Sequence, residues 1–226
     1  MSMNLQMDTK YDTSKILNFG EVPIWRRTML RALIPFSLVQ IAYKQFKQVI
    51  DKNCMHDGTR AKLSGVKFVA MAEEPISFAS IKESSRTFGI TINDLLTCAL
   101  SNTMAEFFEK RGDKSKMINI VIPANIRWSM YKKSEDVKLE NKFAPIALRI
   151  PIIPGTAESL KGIKEVTREL REGFHLTYCL YVISLASAMF LPAYLCRKLG
   201  DEASLPFTLA FSNTPGVLKP VGFGDI

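Results

Sequence analysis

The chain has two histidines, His56 and His175, which leaves little room for histidine-based catalysis or metal binding. His56 stands beside Asp57-Gly58, a pair that general acid–base chemistry often uses. No second His, Ser or Cys constellation surrounds it at a recognisable spacing, so it reads as a loop histidine near a turn. His175 precedes a long apolar run and suits a helix end. Four cysteines (Cys54, Cys98, Cys179, Cys196) lie far apart, without metal-ligand spacing. Cys98 and Cys179 sit in apolar runs as small hydrophobes, and a reducing, cytosol-facing location fits them better than secretion. There is no glycine-rich phosphate loop, no zinc motif and no nucleophile elbow. The first residues lack the basic and apolar regions of a signal peptide. The 30 Lys and Arg residues are scattered, giving a net charge of +8 without the dense block of a nucleic-acid arm. That balance fits a solvated basic surface, or attraction to anionic lipid or an acidic small molecule.

What is present is apolar material in abundance. At 226 residues and 47% hydrophobic content, the chain can bury the core of one large domain or two small ones. Thr91 followed by Asp94 forms a capping box, with the carboxylate at the positive end of the helix dipole. Leu95, Leu96, Ala99, Leu100, Met104, Phe107 and Phe108 then recur at helical spacing as one apolar stripe, and Gly112 stops the helix. A polar pair at such a helix mouth is either a cap or part of a site.

Around this helix the chain alternates between strand and helix patterns. Residues 1–20 are a polar lead-in. An apolar stripe flanked by Arg26, Arg27, Arg31, Lys44 and Lys47 runs over 25–50, with Pro35 expected to kink or restart it. A basic amphipathic helix of this kind lies on a membrane surface or packs on a protein core. Strands are expected at 66–71, 117–123, 142–150 and 205–212, with Pro145 demoting the third to an edge or bulge. Glu73-Glu74 reads as solvated loop. Helices are expected at 80–88, ended by Gly89, and at 156–173. The longest apolar run, 176–196, has no charged side chain and the length of a membrane span. Thr177, Ser184, Ser187 and Pro192 dilute it, leaving a spanning, interface-lying or buried helix open, with the span not favoured. The class is α/β or α+β, a mixed sheet flanked by helices. No catalytic set and no metal-ligand set is complete in these residues.

Four stretches, in order, resemble the C-terminal half of the wax ester synthase/diacylglycerol acyltransferase family, within the CoA-dependent acyltransferase superfamily. Leu63-Ser-Gly-Val-Lys67 resembles the connector into that half. Gly89-Ile-Thr-Ile-Asn-Asp-Leu-Leu96 is similar to the family's Thr-Val-Asn-Asp-Val helix start. Ile122-Pro-Ala-Asn-Ile-Arg127 with Asn141-Lys-Phe143 is similar to its Pro-Val-Asn-x-Arg and Gly-Asn-x-Phe pair. Phe211-Ser-Asn-Thr-Pro-Gly216 resembles Ser-Asn-Val-Pro-Gly. The resemblance implies an incomplete acyltransferase half. Residues 1–62 would be lead-in and inter-half connector, and 63–226 the C-terminal domain, truncated at its end.

The implied activity is transfer of a fatty acyl group from acyl-CoA to a long-chain alcohol or a diacylglycerol, giving wax ester or triacylglycerol. Acyl-CoA is then a substrate, and no bound cofactor is implied. The family's general base is the second histidine of His-His-x-x-x-Asp-Gly, in the N-terminal half. Here Lys52 and Asn53 stand where those histidines would precede Asp57-Gly58, so this segment is not that motif. The chain is therefore expected to lack turnover alone and to need the missing N-terminal half-domain. A scaffold or lipid-binding protein that kept the half-fold without the chemistry is the alternative. By resemblance Asn93 and Asp94 support the active site. Ser212, Asn213, Thr214, Pro215 and Gly216 line the tunnel with a tight turn, and Arg127 anchors a strand end or faces an acidic group. The implied location is the cytoplasmic face of the endoplasmic reticulum, plasma membrane or a lipid droplet. No nucleic-acid partner is expected.

Overall fold

The computed structural model describes residues 22–60, 65–127 and 142–213. Pro35 acts where expected. Helix α1 (Ile24–Ala32) ends before it, and α2 (Ile34–Phe46) restarts with the proline in its first turn, where no N–H is needed. Helices α3 (Phe78–Thr87) and α4 (Ile92–Lys110) are each followed within two residues by a glycine at positive φ, Gly89 at 60° and Gly112 at 69°. That left-handed turn satisfies the last carbonyls and is open to glycine at little cost. Strands β1 (Met117–Asn125) and β2 (Phe143–Pro151) follow, then α5 (Thr156–Glu172), α6 (Phe174–Phe190), α7 (Ala193–Ser204) and the short β3 (Leu209–Ala210).

The three strands form an α/β sheet in the order β2-β1-β3. β1 and β3 are parallel, with Ile120 opposite Leu209 and Val121 opposite Ala210. β2 runs against β1: Ile126 N–H donates to the Lys142 carbonyl at one end, and Ile152 N–H to the Lys116 carbonyl at the other. The sheet is thus mixed, and Pro145 lies in an edge strand, where its missing N–H breaks no ladder.

The described residues fall into two compact units. One gathers those within 22–47, 123–127, 142–145 and 173–196; the other gathers those within 48–60, 65–122, 146–172 and 197–213. In the second unit α4 packs on α5, over a core of Cys98, Phe108, Ile118, Ile120, Leu148, Ile150, Ile152 and Ile163. The alternation in β2 is strict, with Ala144, Ile146, Leu148 and Ile150 buried and the residues between them exposed. In the first unit α2 packs on α6, where Thr177, Tyr178 and Cys179 are buried.

Three sequence expectations change, and the interruption expected at Pro192 is seen. No strand forms at 66–71, where Val66, Phe68, Val69 and Met71 are 63%, 93%, 86% and 85% exposed. Alternation makes a strand only where one face is buried against something, and here neither is. The strand expected over 205–212 shrinks to Leu209–Ala210, because Leu205 bonds back to Glu202 in the turn after α7. The run at 176–196 breaks at Leu191, which turns extended before Pro192. Among the described residues no helix is long and apolar enough to cross a membrane.

The third change concerns α4. Its most buried line is Asp94, Thr97, Cys98, Ser101 and Phe108, one face at three- and four-residue spacing. Leu95, Leu96, Leu100, Met104 and Phe107 flank that line half-buried, and Ala99 is exposed. Small polar side chains let the helix come close. The Ser101 hydroxyl donates to the Pro151 carbonyl at 2.7 Å, and Cys98 Sγ lies 3.3 Å from Ser159 Oγ. Burial followed the closeness of the neighbouring backbone, not the hydropathy of each residue.

Candidate functional site at the mouth of helix 4

The capping box is formed in full. The Thr91 hydroxyl accepts from Asp94 N–H, and the Asp94 carboxylate accepts from Thr91 N–H, both at 3.1 Å. Asp94 is 3% exposed. One residue earlier Asn93 is exposed, and its side-chain carbonyl accepts a 2.6 Å hydrogen bond from the Asn213 side-chain amide. Asn213 lies just past β3, at the carboxyl end of a strand parallel to β1. α4 leads into β1 through residues 111–116, and the Asn93–Asn213 bond sets its N-terminus at the end where β3 finishes. In open α/β sheets ligands bind outside the carboxyl ends of the strands.

Chemically, the described residues of this mouth offer amide hydrogen-bond donors and acceptors. The Asn93 amide NH2 and the Asn213 carbonyl oxygen are a donor and an acceptor beside the positive end of α4. Together they suit holding a polar or anionic group. The Asp94 carboxylate accepts in the cap. Ser212 is exposed next to Asn213. Thr214, Pro215 and Gly216 lie outside the described residues, as do Leu63, Ser64 and Asn141. Arg127 belongs to the first unit, where its N–H and guanidinium both contact Asn125 Oδ1, at 3.1 and 3.3 Å. It holds the end of β1 locally.

The histidines are occupied elsewhere. His56 Nε2 lies 2.7 Å from the Leu205 carbonyl, which can only accept, so this nitrogen carries the proton. Asp57 accepts from the Thr59 hydroxyl and N–H, and these bonds hold its carboxyl below its ordinary range. Asp57-Gly58 is a self-contained turn. His175 pairs with Gln40 at 3.0 Å.

Among the described residues a further polar cluster gathers around Asp51, which the sequence did not single out. Asp51, 4% exposed, accepts from Asn119 N–H at 2.6 Å, from the Asn119 side-chain amide at 2.7 Å and from the Thr208 hydroxyl at 2.6 Å. The Asn53 amide donates to Thr208 Oγ1 as well. Asn119 also reaches the Val49 and Pro206 carbonyls. This clasp ties 49–53 to the start of β1 and the entry to β3. One signal pointed to it: Asn119 is the single polar residue in the otherwise apolar run Met117-Ile-Asn-Ile-Val-Ile122. The partner carboxylate, 68 positions away, carried no local mark. No family model matches the chain, and neither any curated protein nor any solved structure does.

Proposed function

We propose that the chain supplies the C-terminal half of an acyl-CoA-dependent O-acyltransferase of the wax ester synthase/diacylglycerol acyltransferase type. One observation carries this reading. The Asn-Asp stretch at 93–94 and the Ser-Asn stretch at 212–213 resemble two separate family motifs, and the Asn213–Asn93 hydrogen bond joins them across 120 positions. The first stretch also stood out as a helix mouth, the second by resemblance alone, and no local pattern links them.

In the proposed reaction the hydroxyl of a long-chain alcohol or diacylglycerol attacks the thioester carbonyl of acyl-CoA. An ester forms, the C–S bond breaks, and CoA leaves as the thiol. The general base comes from the partner half, since no histidine here is placed for it. This chain's part is positioning. The cap formed by Thr91 and Asp94 fixes the first turn of α4, and Asn93 with Asn213 holds a polar group of the substrate against the helix mouth. The protein would act at the cytoplasmic face of a membrane or at a lipid droplet.

The test is ester synthesis from acyl-CoA and hexadecanol or diolein. The chain alone should give none, and the chain joined to a half-domain carrying His-His-x-x-x-Asp-Gly should give ester. A second reading, a lipid-binding scaffold without chemistry, draws support from the exposed apolar side chains of α2. It predicts lipid binding but no turnover in the joined protein.

A further inference from the structure

Helix α2 packs on α6 by one side, where Ser37 is fully buried, Ile34 and Ile41 are half-buried, and Gln40 pairs with His175 of α6. Phe36, Val39, Tyr43 and Phe46 recur at intervals of three and four residues along another side, and they are 58%, 70%, 59% and 89% exposed. Trp25 and Met29, one turn apart on α1, are exposed as well. Scattered apolar residues on a surface need no explanation, but a continuous apolar stripe on one helix, three of its four residues aromatic, marks a binding face.

Charge selects the occupant. None of the described residues of the unit containing α1, α2 and α6 is Asp or Glu, whereas α1 and α2 and their flank carry Arg26, Arg27, Arg31, Lys44 and Lys47. The acidic residues described in this chain all belong to the other unit. A second copy would bring the same uniformly basic face against this one and be repelled. A nucleic acid would satisfy the cations but leave the apolar stripe unpaired. An anionic bilayer leaflet meets both, taking the ring edges into the acyl boundary while the cations stay at the headgroups. Lys47 shows the arrangement in miniature, its ammonium 4.7 Å from the centre of the Tyr43 ring at the end of the stripe.

We propose that the α2 stripe, with Trp25 and Met29, is the face by which this protein lies on an anionic lipid bilayer. It deepens the membrane location proposed above but needs no acyl transfer: its failure would remove that location and leave the proposed reaction to its own test of ester synthesis. The test is co-sedimentation of the full chain with phosphatidylcholine vesicles, with and without about 30% phosphatidylserine. Binding should be at least about tenfold stronger with the anionic lipid and should fall in about 0.5 M salt. Phe36→Ser/Phe46→Ser should lose about tenfold in binding, and Arg26→Gln/Arg31→Gln should lose the preference for phosphatidylserine. Both pairs are exposed, and unchanged circular dichroism checks that the fold is kept. Absence of vesicle binding, binding indifferent to phosphatidylserine, or unchanged binding by the Phe36→Ser/Phe46→Ser protein would overturn the proposal. So would a dimer abolished by that double change without any lipid binding, which would assign the face to a second copy. Retention of single-stranded RNA in place of vesicles would assign it to nucleic acid.

Discussion

The side-chain amide of Asn213 donates to the side-chain carbonyl of Asn93 at 2.6 Å, across 120 positions of sequence. Both side chains are exposed, so burial does not force them together. The bond pins the segment just after β3 to the first turn of α4, and it sets one amide donor and one carbonyl acceptor at the positive end of that helix.

Because the pair is solvated, its contribution to stability should be small. A double-mutant cycle with Asn93→Ala and Asn213→Ala should give a coupling of about 0.5–1 kcal/mol in urea denaturation. Additive single effects would mean that the two side chains do not hold each other.

Asp94 has a larger task. Asp94→Ala removes the acceptor for Thr91 N–H and should cost about 0.5–2 kcal/mol. Asp94→Asn keeps an acceptor oxygen and should cost less. Equal losses in thermal melts would show that charge at the helix mouth, not the cap bond, supplies the stability.

The Asp51 clasp should be the more sensitive point. Asp51→Ala strands the Asn119 N–H, the Asn119 amide and the Thr208 hydroxyl in a buried place. The loss should be about 3–5 kcal/mol by urea denaturation, the range for removing one partner of a buried charged network. A loss under about 1 kcal/mol, the range of an exposed polar contact, would mean that water enters and satisfies these donors.

Acid should loosen the same region. Hydrogen bonding from Ser115, with further bonds including one from Cys54 N–H, holds the Asp113 carboxyl below its ordinary value of 3.8. A depressed folded pKa contributes stability that is present above the unfolded pKa and lost as pH falls through the folded one. Asp113→Asn should therefore be less stable than the parent near neutral pH, with the gap closing below about pH 3.8. A gap that stays constant through that range would remove Asp113 from the acid response.

How far the sequence carried these features depends on their range. The Thr91–Asp94 box, the restart at Pro35 and the stops at Gly89 and Gly112 are local, set by residues within one turn, and they were legible. The edge position of β2 was legible from Pro145, whose ring removes a ladder donor. The orientation of α4 was not. Hydropathy selected Leu95, Leu96 and Leu100, whereas the closeness of Pro151 and Ser159 made small residues, Cys98 and Ser101, the buried line. The Val66–Met71 alternation misled because period alone does not supply a surface to pack on. Asp51 and Asn119 sit 68 positions apart, and no local pattern announces a hydrogen bond of that reach. For the site, Asn93 and Asp94 were found as a helix mouth and Asn213 by resemblance. Their meeting is a property of the fold.

The most direct measurement is ester formation from labelled acyl-CoA and hexadecanol by this chain joined to a half-domain carrying His-His-x-x-x-Asp-Gly, with the chain alone as control. The expected result is ester only from the joined protein. Asp94→Ala, in the fraction that remains folded, should lower that ester yield by at least about tenfold, the size of effect that lost positioning produces. Ester from the chain alone, or full activity in the folded Asp94→Ala protein, would contradict the positioning role given to the mouth of α4.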